Sequence, residues 1–293
     1  MTAYTSPAIA RRQLRLALRR ARETAGLTQA TVAEALDWSI SKVNRIETGD
    51  VKVSSTDLRA LLALFDITDR AAIDEFAARA RASRQRGWWD APEFRPFLTV
   101  GMRQIIEFEG AASAVHTYHP TLVPGLFQTA EYARAVMSAY AYVMPADMSA
   151  ARIESRQRRR AGLFEQVERP EYRLVLDESV ALRPVGGHAV MADQLGELLS
   201  YVDTGKIDVR ILPLAPGAAF GAVGAFTIFD LRDGEDAVLY QEVGAIDGCD
   251  YDRDRIQEHR VHFERMWEQS LAAQASARLL RASAATMLAS LDR

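Results

Sequence analysis

GLTQATVAEALDWSISKVNRIETG, residues 26–49, is the stretch that decides how the chain folds. Val32, Ala33 and Leu36 recur at the three-to-four spacing of a helix face, and Val43 and Ile46 repeat the pattern, so two short helices are predicted. Thr28 and Ser39 stand where an N-cap hydroxyl can accept a free backbone N–H of each first turn. Between the helices, Asp37-Trp38-Ser39 has to redirect the chain. Such a turn wants a residue that tolerates positive φ, and aspartate is an acceptable second choice to glycine. Ala33 is small where the two axes would approach most closely, and Gly49 is placed to cap the second helix.

Ahead of this pair, Ser6-Pro7 reads as an N-cap with proline at the first helical position. Gly26 closes that helix, and Leu14, Leu18 and Ala21 form its inner stripe. Arg11, Arg15, Arg19 and Arg22 fall on a different face, which suits solvent and a phosphate backbone equally well. Behind the pair, Ser54 and Asp57 form a capping-box pattern before Leu58, Leu61, Leu62 and Phe65, so a fourth helix is expected, and a fifth from Thr68 to Arg84. The basic, polar stretch 81–87 ends this all-α bundle, giving a first domain of residues 1–87 and a second of residues 88–293.

Gln29, Ala33, Leu36, Trp38, Val43, Ile46 and the run Arg45-Ile46-Glu47-Thr48-Gly49 resemble the helix-turn-helix of the lambda-repressor-like, XRE-type transcription regulators. The pattern departs from that family at Asp37, where glycine is usual, and at Ile40, where a polar or basic residue is common. The resemblance implies binding to double-stranded DNA, as a homodimer on a two-fold operator. By position in the motif, Ile40, Ser41 and Arg45 face base edges, with Arg45 able to make a bidentate contact to guanine and Ile40 able to touch a thymine methyl. Gln29, Lys42 and Asn44 are placed to hold phosphates, and Ser39 begins the reading helix.

Charge is distributed accordingly. Residues 1–87 hold 15 Lys and Arg against 10 Asp and Glu, a net +5, while the remainder holds 21 against 29, a net −8. A basic head on an acidic body suits a protein that offers one end to phosphate. Cys249 is the sole cysteine, which excludes intrachain disulfides and multi-cysteine zinc sites. No apolar run reaches the roughly 18 residues of a membrane span, and the N-terminus lacks a signal-peptide core, so a cytoplasmic protein with no membrane partner is expected.

From Trp88-Trp89 onward the texture becomes mixed. Runs rich in β-branched and aromatic residues at Tyr172–Leu176, Ile207–Leu212, Ala225–Phe229 and Ala237–Val243 predict strands, and Arg232-Asp233-Gly234 makes a hairpin of the last two. Helical patterns cover Thr129–Ala139, Met148–Gln166, Ala189–Val202 and one long stretch from Asp252 to Leu291. Strands grouped between helices favour an α+β domain over a doubly wound parallel sheet. Trp88-Trp89, Phe108-Glu109-Gly110-Ala111-Ala112, the run from Val123 to Arg134, and later pieces including Asp177-Glu178, Leu182 to Gly187 and Tyr240-Gln241-Glu242 are similar to actinobacterial regulators. Those regulators join this helix-turn-helix to a C-terminal domain regarded as regulatory and antitoxin-like. That likeness implies control through the second domain by a small partner protein or a small-molecule effector.

Chemistry-bearing motifs in the second domain are sparse. His259 and His262 are three apart on a helix with Glu258 and Glu264 nearby, but two ligands without a third or an HExxH pattern do not make a metal site. His116 and His119 flank an expected strand end and are read the same way. The glycines at 217, 221 and 224 lack the Lys-Ser/Thr of a phosphate loop, no GxSxG elbow exists, and Cys249 has no base beside it, so neither a cofactor nor catalysis is expected. The Pro124-Gly125 turn ahead of Thr129 reads as a helix start, with anion binding as the sharper alternative. Tyr118, Tyr132, Tyr240 and Glu242 are candidate pocket residues. The expected protein is a sequence-specific DNA-binding regulator; the competing readings are a partner-binding antitoxin-like module and an enzyme fused to a DNA anchor.

Overall fold

Three helices of the first unit end in the same way. α1 (Pro7–Thr24), α2 (Gln29–Ala35) and α4 (Ser55–Leu64) are each followed by a residue in the left-handed region: Gly26 at φ +69°, Asp37 at +54° and Asp66 at +56°. After each, the next N–H reaches back five residues, Leu27 to Arg22, Trp38 to Ala33 and Ile67 to Leu62, the Schellman arrangement. Leu27, Trp38 and Ile67 then pack onto the core, the apolar contact that accompanies this ending. N-caps match at the other ends, with Thr28, Ser54 and Asp69 accepting from Thr31, Asp57 and Ala72 N–H. α3 (Ile40–Thr48) begins on Ser39, and α5 (Arg70–Ala82) closes the bundle.

The structure is a computed structural model, and it describes residues 7–48, 51–142, 144–165, 169–215, 223–231, 237–243 and 246–291. Gly49, Ser6, the Arg232-Asp233-Gly234 turn and the glycines at 217 and 221 lie outside the described residues. The chain forms two compact units, residues 1–87 and 88–293. The core of the first includes Leu14, Leu18, Val32, Ala33, Val43, Ile46, Leu58, Leu61 and Leu62 from its first four helices, with Val53 and Phe65 on either side of α4 and Ala80 from α5. Each large side chain buried there contributes about 1.5–3 kcal/mol.

The second unit is α+β. A six-stranded sheet runs in the order β3-β2-β1-β4-β5-β6, where β1 is Ala112–His119, β2 Glu171–Asp177, β3 Asp208–Leu212, β4 Phe226–Leu231, β5 Ala237–Val243 and β6 Ile246–Asp250. β1, β2 and β3 are parallel; β4, β5 and β6 continue from β1 antiparallel. Cross-strand partners put Thr117, Leu174, Thr227 and Tyr240 on one face, shared with α6 (Val100–Glu109), whose Phe108 ring meets Phe229. Tyr118, Val175, Phe226, Ile228 and Leu239 line the other, under Phe263, Met266 and Trp267 of α11 (Arg253–Gln269). α7 (Ala130–Ser138), α8 (Ala146–Glu165), α9 (Glu178–Leu182) and α10 (His188–Asp203) fill the connections.

Two expectations change. Asp252–Leu291 is not one helix: α11 stops at Gln269 and α12 (Ala273–Ala289) starts anew. The sheet edge causes the break, since Leu271 N–H donates to Ile211 C=O (2.9 Å), while Ser276 Oγ accepts from Ile211 N–H (3.0 Å) and donates to Leu271 C=O (2.9 Å). A continuous helix would leave those edge groups of β3 unpaired. Of β1 only an end near His116 and His119 is expected from the sequence, and β6 is not expected at all. β1 reads Ala-Ser-Ala-Val-His-Thr-Tyr-His and β6 contains Gly248 and two aspartates, compositions poor in strand signal that pairing on the sheet overrides.

Candidate nucleic-acid interface

α3 is held by one side only. Val43 and Ile46 are buried to 2% and 3% exposure, so the turn geometry leaves Ile40, Ser41, Asn44 and Arg45 in a stripe on the opposite face. All four are exposed, Ile40 at 56% despite being a large apolar residue. Ser39, also exposed, accepts Lys42 N–H through Oγ at 3.1 Å and so fixes where the helix starts.

What orients α3 is a buried ionic pair. Arg22 donates from Nε and Nη2 to both Glu47 oxygens at 2.6 and 3.1 Å, with side-chain exposures of 10% and 7%. The hydrogen bond to Glu47 raises the Arg22 pKa above its ordinary value against the opposing effect of burial. Gln29 adds a third donor to Glu47 at 2.8 Å, tying the start of α2 to the same carboxylate. Of Arg11, Arg15, Arg19 and Arg22, the arginines that share a face of α1, Arg22 is therefore neither solvated nor free for a phosphate, and Arg19 pairs with Glu23. Glu47 being engaged in this way, Arg45 has no carboxylate within ion-pair distance among the described residues.

Lys42 is also engaged. Its Nζ sits 2.8 Å from Asp57 and 3.6 Å from the centroid of the Trp38 ring, bridging α3, the turn and the first turn of α4. Burial alone would raise the Asp57 pKa, but hydrogen bonds from Lys42 and Ser54 prevail and lower it. Gln29 and Lys42, assigned to phosphates from the sequence, thus have intramolecular partners, whereas Ile40, Ser41, Asn44 and Arg45 present free side chains. Arg22, Glu47 and Asp57 escaped notice as organisers; the twenty-five-residue separation of Arg22 from Glu47 carries no local signal.

In the second unit, His259 Nδ1 lies 2.8 Å from Arg255 C=O and its Nε2 3.0 Å from the Gln241 amide nitrogen, so the ring is occupied as a helix-to-sheet tie. His262 lies 3.9 Å from Glu258. Among the described residues no three metal-capable side chains converge. His116 and His119 both lie within β1; His116 bonds Asp230 at 3.1 Å, and Arg260 grips the same carboxylate. At the Pro-Gly turn, Thr129 Oγ1 caps α7 through Tyr132 N–H, and Gln194 takes the Thr129 N–H at 2.8 Å. Leu126 and Phe127 are buried, as in the helix-start reading.

A family model described as "Helix-turn-helix domain" matches residues 13–76, and one described as "Domain of unknown function (DUF5753)" matches residues 102–282. Neither a curated protein nor a solved structure matches the chain.

Proposed function

The chain belongs to the DUF5753 family and carries a helix-turn-helix domain ahead of that region, and on this footing we propose that it is a sequence-specific DNA-binding transcription regulator controlled through its second unit. The observation that carries the reading is the stripe Ile40, Ser41, Asn44 and Arg45 on α3, solvent-facing and rigidly mounted by the Arg22–Glu47–Gln29 network. Arg45 reads guanine O6 and N7, Ile40 lies against a thymine methyl, and Ser41 completes the base contacts. Ser39 and Asn44 hold the backbone; Gln29 and Lys42 approach phosphate only by sharing or exchanging their present partners. Binding is as a homodimer on a pseudo-palindrome, which doubles the phosphate contacts and the counterion release.

The second unit is a sensor and not an enzyme in this reading, with a small molecule or a small partner protein as its input, as the likeness to actinobacterial, antitoxin-like regulators suggests. The test is recovery of genomic fragments bound in cells, followed by titration of the intact chain against a recovered duplex. Binding that ignores duplex sequence and salt would refute the regulator reading. Copurification of a small protein whose loss leaves DNA affinity untouched would favour the antitoxin-like alternative.

A further inference from the structure

The carboxyl ends of β1 and β2 lie at the end of the sheet where β4 begins and β5 ends. On open sheets, ligands settle outside the carboxyl ends of the parallel strands. On the face that also carries Thr117 and Tyr240, this end holds His119 from β1, Glu242 from β5 and Asp247 from β6, because His119 pairs with Leu176 and Glu242 with Asp247. Arg156 of α8 comes in beneath the Pro124-Gly125 turn. A Cβ on Gly125 would lie 3.2 Å from Arg156 Nε, so the glycine lets the backbone cross that close to the guanidinium.

Two donors at this end are built but unused. Arg156 Nε is shielded from solvent with no acceptor, and the side chain's hydrogen bond is from Nη1 to Arg152 C=O at 2.9 Å. Arg159, Arg160, Arg173, Arg260 and Arg281 of this unit each have a carboxylate, whereas among the described residues Arg156 has none within ion-pair distance. Burial, with Arg159 and Arg152 nearby, depresses its pKa to about 10. A cation held there without an ion-paired carboxylate is a poor device for stability, which points to a role outside folding. His119 Nδ1 accepts the N–H groups of Leu122 (3.1 Å) and Thr121 (3.3 Å). That fixes the tautomer: Nε2 carries the proton and has no acceptor among the described residues.

Acidic groups complete the cluster. Glu242 is within electrostatic reach of both Arg156 and His119 yet bonds neither, accepting instead from Tyr240 Oη at 2.8 Å. Tyr240 Oη also lies 3.2 Å from Asp247, which takes the Thr99 hydroxyl at 2.6 Å. Separated charges of both signs suit a ligand that is itself two-ended. A phosphate dianion would meet Glu242 and Asp247 with like charge, whereas one carboxylate with a neighbouring donor satisfies both sides.

We propose that this cluster binds a small carboxylic acid bearing an adjacent hydrogen-bond donor, of the α-amino or α-hydroxy class, with Arg156 and His119 Nε2 on the carboxylate and Glu242 on the donor. It deepens the sensor reading, and its test uses no DNA, so that each can fail alone. The intact chain, Arg156→Gln and Glu242→Gln are titrated with L-alanine, L-lactate, acetate and inorganic phosphate at matched ionic strength, following the His119 ring signals by NMR. Expected are saturable shifts with L-alanine or L-lactate, at least tenfold weaker with acetate, and lost in Arg156→Gln. Arg156→Gln is also expected to unfold no earlier than the parent, because it removes a cation that has no carboxylate within ion-pair distance. A response to phosphate alone, no saturable response to L-alanine or L-lactate, equal responses in parent and variants, or marked destabilisation by Arg156→Gln would each overturn the proposal.

Discussion

Asp37 does the work of a glycine, at φ +54° in the turn that fixes the angle between α2 and α3. An L-residue there carries a steric cost that glycine does not. Asp37→Gly is expected to stabilise the helix-turn-helix by about 0.5–1 kcal/mol, read from the exchange rates of α2 and α3 amides in the intact chain. Unchanged or faster exchange would mean that the aspartate makes a compensating interaction. Lys42 has two tasks at one ammonium. Lys42→Ala should weaken binding to all duplexes alike and lower the salt slope by about one. It should also cost up to about 1 kcal/mol of stability through the loss of the pair with Asp57, in which the two side chains are 38% and 23% exposed. Sequence reading found the first task from the motif position and missed the second, since nothing in the spacing of Lys42 and Asp57 announces a contact between helices.

Among elements, the link between α1 and α3 is the one to break. Arg22→Ala leaves Glu47 buried without its cation and is expected to destabilise the bundle by about 3–5 kcal/mol, whereas Arg22→Met with Glu47→Leu should cost far less. Equal losses in urea unfolding would assign the effect to packing. At the end of β1, burial pushes the His119 pKa down to about 4 from an ordinary 6.5, Glu242 opposing, and the ring accepts two backbone N–H groups that only its neutral form can accept. The unfolded chain then binds the proton first. Stability is full above pH 6.5 and is lost as pH falls towards about 4. His119→Asn, which retains an acceptor near the Nδ1 position, should flatten that slope in thermal unfolding between those limits; an unaltered slope would place the responsible group elsewhere. Helices with hydroxyl caps and periodic apolar faces, such as α2, α3 and α4, were legible in the sequence because their signals are local. The α11–α12 break was not, because Ser270-Leu271-Ala272 contains no glycine or proline and the chain parts there to serve the edge of β3. β6 and the body of β1 were hidden for the same reason, their strand character coming from neighbours distant in sequence.

For the whole molecule, charge asymmetry and architecture point the same way. Residues 1–87 contain a capped bundle with its own core and a net +5, so that fragment is expected to fold and to bind DNA, more weakly than the intact chain if dimer contacts lie beyond it. Residues 88–293, at net −8, are expected not to bind, because like charge opposes approach to phosphate. DNA binding by the second fragment, seen in titrations of each alone, would reverse the assignment of roles. The mixed sheet organising the larger unit was legible in class but not in topology: four of its strands carried β-branched runs, while their order depends on crossovers with no sequence signature. The candidate reading residues were legible because they are defined by helical periodicity once α3 is located; the network that mounts them was not. The central claim is that the exposed stripe of α3 reads bases, and Arg45 carries most of its weight. The most direct test is a salt titration of the intact chain and of Arg45→Ala on a recovered genomic duplex and on duplexes altered one base pair at a time. Expected for Arg45→Ala are a loss of about 1–3 kcal/mol on the parent duplex and relaxed preference at one base pair per half-site, with steep salt dependence in both proteins. Affinity and base preference left unchanged by Arg45→Ala would contradict that claim.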